Sequence, residues 1–297
     1  MKRVLALFVI MVMASLGVQA QISDLLEEAD ELYDEEAYER TVDVLERAES
    51  RARTDTERAE VYWRLSRVQL GIGDELRDEE EDNDAAMEAY DVGMDHADRA
   101  IEADSSNNLG YYWKASNLGR WGETRGILSS LNQAKPMRNL LEQSIERDPE
   151  HAQSYYVLGL LYARVPGGFI SFGNKDYAVS LGRKARALHL QDIASGEEDE
   201  LYYPIPIELA SHLIDRGWNA RKRGREQDSK SEERRDADGV LERSFYYEAT
   251  VDLEDGSDEE EAREILEAVV DELEGNAPAG SRKGRHLERA RELLSAI

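Results

Sequence analysis

Trp63, Arg67, Tyr112, Arg120, Trp121, Tyr156, Arg164, Phe169 and Phe172 are the residues whose types and spacing could recognise a ligand or partner. Trp63, Tyr112 and Tyr156 recur at one position of successive helix-patterned segments, with Leu26 at that position in the segment before them. Arg67, Arg120 and Arg164 follow at related positions. Aromatic rings offer flat contact area, and guanidinium groups pair bidentately with carboxylates. Such a ladder suits a small carboxylate or hydrophobic ligand, or a peptide segment. Trp121, Phe169 and Phe172 lie in glycine-bearing stretches, where they would fold over a groove or staple those stretches to the core. The same spacing also serves plain packing, with the aromatics partly buried and the arginines paired to nearby acids. Both readings are open from the sequence.

Residue patterns for catalysis are sparse. His96, His151, His189, His212 and His286 are scattered, with no His-Glu-x-x-His pair. The stretch 275–283, GNAPAGSRK, has phosphate-loop glycines but lacks the lysine in its required place and a preceding strand. There is no Gly-x-Ser-x-Gly elbow. Cysteine is absent, which removes thiolate nucleophiles, disulfides, cysteine-ligated zinc and a lipid-modified cysteine. The acidic runs at 78–84 and 254–261 do not match the spacing of a calcium loop. The expectation is a non-enzymatic protein with no cofactor and no metal.

The chain has 297 residues, of which 41% are hydrophobic, so it can bury a core. Its net charge of −27 repels nucleic acid and anionic membranes. One basic cluster, Arg216, Arg221, Lys222, Arg223 and Arg225, reads as a solvated helix end paired with Glu232 and Glu233 or with another subunit. At the N-terminus, Lys2 and Arg3 precede the apolar run 4–13, and Val18-Gln19-Ala20 supplies small residues for a signal peptidase. That run is shorter than the ~20 residues that span a bilayer. Residues 1–20 are therefore expected to be a cleaved secretory signal peptide, leaving an exported, soluble periplasmic protein without a lipid anchor.

From Gln21 onward the hydrophobic period is helical, and helices end in a recurring pattern: AIEADSS at 100–106 and SIERDPEHA at 144–152, with looser copies at 45–50 and 187–192. This ending is a signature of the tetratricopeptide repeat. The small residues Ala48, Ala100, Ser144 and Ala187 mark where a second helix passes close to its neighbours. Helical pairs are expected at about 22–54, 57–104, 108–148 and 151–190. The last three exceed the unit of about 34 residues. The surplus is expected as inserts between paired helices, at 73–84, 119–130 and 165–174, with glycines marking chain reversals. Inserts at one equivalent point stack on one face of a solenoid, often the binding face. Further helices are expected from Pro206 to about Glu226, from Lys230 to about Leu253, from Ser257 to Gly275 and near the C-terminus. The predicted fold is all-α: a tetratricopeptide-like helical-hairpin solenoid over 21–192, completed by a helical C-terminal extension over 193–297.

The stretches YYWKASNLGRWGETRGILSSL, SIERDPEHAQSYYVLGLLYARVPGG and FGNKDYAVSLGRKARAL resemble the periplasmic T component of TRAP transporters, the TatT-type proteins, in spirochaete-like form. The eukaryotic regulators of microtubule dynamics share a related repeat arrangement. The TatT resemblance implies an accessory component of solute uptake that docks a periplasmic solute-binding protein, and a trimer. TatT-type proteins resemble lipoproteins, and this chain has no cysteine to lipidate. The other function expected is a general tetratricopeptide scaffold for cell-envelope proteins.

Overall fold

The structure, a computed structural model, describes residues 22–78, 82–126, 128–253 and 256–297. The expected signal peptide at 1–20 lies outside the described residues, as do 79–81 and 254–255 of the two acidic runs. Among the described residues the fold is all-α, with one isolated bridge between Gly167 and Gly173. Two compact units divide between Arg147 and Asp148. This differs from the division expected at 192, because the fourth hairpin packs with the C-terminal helices.

The first unit contains α1 (22–34), α2 (Tyr38–Glu49), α3 (Asp55–Asp78), α4 (Asn83–Ala103), α5 (Asn108–Arg125) and α6 (Ala134–Arg147), with a short 3-10 turn at Leu131–Gln133. Each helix packs against the next, as short connections require. Leu25, Ala29 and Leu32 of α1 meet Val44, Leu45 and Ala48 of α2 and Val61, Leu65 and Val68 of α3. Their three- and four-residue spacing places each set on one helix face. Ala48, Ala100 and Ser144 are buried, as close helix passage demands, while Ala187 is only half-buried. The Ser144 hydroxyl donates to the Asn108 carbonyl at 3.1 Å.

The long pairs gain much of their extra length by extending helices. Helix α3 runs through Asp78 and α4 begins at Asn83, so most of the expected insert at 73–84 is helical. Likewise α5 runs through Trp121 to Arg125. Gly119 is therefore no chain reversal: a Cβ there would lie 2.8 Å from Met137 Cε, so the glycine admits α6. The reversal comes at Gly126, where φ is 102°. The third expected insert, 165–174, does lie between helices.

Asn117 fixes the centre of this unit. Its amide nitrogen donates to the Ser66 carbonyl and hydroxyl, each at 3.1 Å, and to the Trp113 carbonyl at 3.0 Å. The amide rests on Gly93 of α4, where a Cβ would lie 2.3 Å from Asn117 Oδ1. Gly93→Ala should therefore destabilise the protein, although alanine has the better helix propensity by about 1 kcal/mol. Overpacking and the displaced amide bonds each cost about 1–3 kcal/mol, which outweighs that gain and leaves an expected net loss of at least about 1 kcal/mol in urea unfolding. Unchanged or raised stability would show that Asn117 moves aside without losing its bonds.

The second unit contains α7 (Ala152–Arg164), α8 (Lys175–Ser195), α9 (Pro204–Arg216), α10 (Ala220–Asp236), α11 (Gly239–Ser244), a 3-10 turn at Tyr247–Thr250, α12 (Asp258–Leu273) and α13 (Arg282–Ser295). Helix α9 packs against α8, α12 and α13 through Ile207, Leu213, Leu266 and their neighbours. Ser257 caps α12 in a reciprocal capping box with Glu260. The helix expected over 206–226 breaks at Gly217, whose φ of 63° ends α9. The Asp258 carboxylate accepts from the Trp218 backbone N–H at 2.9 Å, and the Asp258 N–H donates back to the Trp218 carbonyl at 2.8 Å. The helix expected over 230–253 is also replaced, by the end of α10, then α11 and the 3-10 turn.

The basic cluster is the largest departure from expectation. Arg216 and Arg223 are buried, and α10 turns Arg223 and Lys230 inward in place of an apolar stripe. Arg183, Arg216, Arg223 and Lys230 interlock with Asp176, Glu248, Asp258 and Glu261. These groups come from α8, α9, α10, α12 and the 3-10 turn, so opposite charges close the helical interface where apolar residues are missing. Only Arg221 and Arg225 of the cluster are exposed.

Candidate functional site

The first unit holds a cleft of about 470 Å³ between α4, α5, the 3-10 turn and α6. Its apolar lining is Met94, Leu118, Trp121, Pro136 and Leu140. Asp91, Lys114, Gln133 and Asn139 supply the polar lining. The cleft follows from the helix lengths and the turn between them: α5 carries Trp121 toward its end, then Gly126 and the 3-10 turn lead into α6.

Trp121 is half-buried and held from two sides. Its indole bonds the Asp91 side chain, and the Arg125 guanidinium stands over its ring at 5.0 Å. Partial desolvation, with Asp95 adding a like charge, raises the Asp91 pKa despite the indole bond. Lys114 is already engaged, donating to both Asp98 oxygens at 2.5 and 2.7 Å. The cleft thus offers an apolar surface with a fixed aromatic ring and an acidic edge. It can bury an apolar side chain and attract a cation, and its residues show no arrangement for bond making or breaking.

The structure brings only Trp121 of the nine predicted recognition residues into this cleft. Trp63 and Tyr112 are buried, so the proposed aromatic ladder is largely core packing. Trp63 donates to Glu60 at 3.0 Å, and Tyr112 packs edge-on against Trp113 at 4.8 Å. Arg67 pairs with Asp30 and lies over the Tyr33 ring at 4.1 Å. Arg120 does not line the cleft with Trp121: it is tied to Asp74 at 3.2 Å and Glu123 at 3.1 Å. A helix turns adjacent residues about 100° apart, which separates these neighbours.

The remaining predicted residues belong to the second unit. Half-buried Tyr156 meets Tyr202 edge-on at 6.0 Å. Arg164 is exposed at the end of α7, and its charge helps depress the pKa of buried His212. Phe172 staples its loop by packing on Tyr162 at 5.3 Å, whereas Phe169 is fully exposed at the loop tip. Sequence reasoning missed Asp91, Met94, Pro136, Asn139 and Leu140 because it searched first helices for a groove. Met94 and Leu140 on half-buried faces of α4 and α6 were the available signal.

Among the described residues no group of His, Cys, Asp and Glu is arranged to hold a metal ion. No described helix is long and apolar enough to cross a membrane.

The family described as Regulator of microtubule dynamics protein 1-3 matches residues 25–165. Regulator of microtubule dynamics protein 1 of Bos taurus is 28% identical over 140 residues, covering 47% of this chain and 42% of the relative. Its Mus musculus counterpart is 26% identical over 141 residues, covering 48% and 44% respectively. The match therefore spans less than half the length of these relatives. Among solved structures, a thermophilic TPR protein of Thermus thermophilus aligns with a TM-score of 0.49 and 17% identity, over 77% of this chain and 98% of that chain. The stretch carrying the entire cleft, 25–165, is thus similar in sequence to the regulators of microtubule dynamics proteins 1-3.

Proposed function

We propose that this protein is a non-catalytic helical scaffold that captures a partner polypeptide in the cleft between α4, α5 and α6. The observation carrying this reading is Trp121, held by Asp91 and Arg125 beside an apolar lining. A fixed, half-buried aromatic with acidic and amide groups around it has the anatomy of an interface anchor. Export to the periplasm forms part of the proposal and rests on the N-terminal pattern. The narrower role, docking a solute-binding protein for uptake, rests on the TatT-type sequence resemblance.

The test is affinity capture by tagged protein 21–297 from an extract of its host, comparing wild type with Trp121→Ala and with Arg225→Ala as an exposed control. Loss of an aromatic anchor costs on the order of 2 kcal/mol of binding. A specific partner should therefore fall by more than tenfold with Trp121→Ala and stay unchanged with Arg225→Ala. Equal recovery by all three proteins would sink the reading. A solute-binding protein among the Trp121-dependent partners would favour the uptake role, and other envelope proteins the general scaffold.

A further inference from the structure

We infer that the cleft's occupant is a basic amphipathic α-helix of a partner protein, with an apolar side chain entering beside Trp121 and lysines or arginines following α4. This inference rests on the cleft being a polypeptide-binding site and specifies the chemistry of its occupant. The observation behind it is a line of carboxylates on α4: Glu88, Asp91, Asp95, Asp98 and Glu102. Their spacing alternates between three and four residues, which keeps them along one side of the helix. Asp91 lines the cleft, and Asp98 reaches Lys114, another cleft residue. The line therefore runs beside the cleft and extends for about 21 Å at 1.5 Å per residue.

Asp98 is neutralised by Lys114, whereas Glu88, Asp91, Asp95 and Glu102 form no ion pair with a described residue. Four uncompensated carboxylates along one edge repel one another. Desolvation and Asp95 together raise the Asp91 pKa, a direction consistent with that local repulsion. A cationic partner relieves the repulsion, while the apolar lining supplies a place for a hydrophobic anchor. The chain's net charge of −27 adds long-range attraction for a cation and repulsion for an acid. A basic helix satisfies both features because its side chains repeat at the spacing of the α4 line, and helix-in-groove binding uses such spacing.

Two synthetic helical peptides test the inference. Both carry the same Leu and Trp anchor face, and their flanking positions are either all lysine or all glutamate. Binding to protein 21–297 is followed by fluorescence anisotropy at low and physiological salt, with wild type, Trp121→Ala and Asp91→Asn/Asp95→Asn. The lysine peptide should bind at least about tenfold tighter than its glutamate twin. Trp121→Ala should abolish that binding, and the double substitution should weaken it and flatten its salt dependence. Trp121-dependent binding of both peptides with equal affinity would overturn the inference while leaving the polypeptide-binding site standing. Lysine-peptide binding indifferent to Trp121→Ala would reveal general attraction to an acidic protein and overturn it too. Binding of neither peptide also overturns it, and the capture experiment then decides the wider reading separately.

Discussion

Glu248→Ala unfolds the second unit, or leaves it at least about 3 kcal/mol less stable. Glu248 is 2% exposed and takes hydrogen bonds from Arg183 at 3.1 Å, from two Arg216 nitrogens at 2.8 Å each, and from Lys230. Arg183, Arg216 and Lys230 are themselves almost fully buried. Removing the carboxylate leaves these charges facing one another without their shared counter-ion. Breaking one partner out of a buried ion pair typically costs about 3–5 kcal/mol, because the remaining charge stays desolvated. Glu248→Gln keeps the volume but not the charge, and is expected to destabilise nearly as strongly. By contrast, Glu292→Ala removes an exposed partner of Arg289 and should cost less than about 1 kcal/mol.

Hydrogen exchange followed by mass spectrometry can resolve this effect from the rest of the chain. Peptides from 148–297 should lose protection in Glu248→Ala, with Glu292→Ala remaining close to wild type. Protection within about 1 kcal/mol of wild type would show that water or a rearranged carboxylate replaces Glu248. The expected result does not mean that the network is the most stabilising solution. A well-packed apolar replacement of all its members could be as stable or more so. The native arrangement makes its members mutually dependent, which is why a single deletion has a large effect.

The second large effect is a loss of stability between pH 6.5 and 4. His212 is buried, and desolvation, aided by the Arg164 charge, lowers its pKa from 6.5 to about 4. Burial also lowers His151 to about 4 and depresses His189, which accepts from the Tyr202 N–H at 2.6 Å through its ring nitrogen. In this window the unfolded chain binds protons that the folded chain refuses. Stability is therefore present above the unfolded pKa and declines as pH falls toward the folded one. His212 alone contributes on the order of 2 kcal/mol of loss by pH 5 and about 3 kcal/mol over the full window. Glu248 and Glu261 are held below the usual carboxylate range, against their own burial, by bonds and charges from Arg216 and Arg183 respectively. Their stabilisation fails at lower pH, once carboxylates in the unfolded chain begin to protonate.

Urea unfolding at pH 7 and pH 5, read by hydrogen exchange in 148–297, separates the histidine effect. Wild type should show a clear downward shift at pH 5, and His212→Leu a smaller one because one proton-uptake site is gone. Identical pH shifts in the two proteins would place the acid sensitivity elsewhere.

Local order was legible before the structure. The apolar periodicity of α1, α2, α7 and α8 identifies their buried faces because each face repeats with the helical turn. Ser257 and Gly275 locate the limits of α12 because cap chemistry acts within one turn. Small residues such as Ala48 and Ala100 identify close helix approaches, since a larger side chain would hold the backbones apart. Gly119 shows the limit of that logic: its identity suggests a bend, but its missing side chain instead makes room for Met137 within a continuous helix.

Recognition residues were harder to read for the same reason. Trp63, Tyr112 and Trp121 are all aromatic residues on first helices, yet two are core and one lines a cleft. Residue type and helical position do not separate them; for Trp121 the difference is that residues of α4 and α6 leave a cleft beside it. The sequence by itself determined an acidic, all-α chain of helical hairpins, because charge is additive and helical periodicity and capping act over a few residues. Only the tertiary structure decided that Arg216, Arg223 and Lys230 are buried while Glu88 and Asp95 stay exposed on α4, the helix that carries the cleft residue Asp91. A charged side chain follows the same local pattern whether it faces water or a counter-ion contributed by a distant helix.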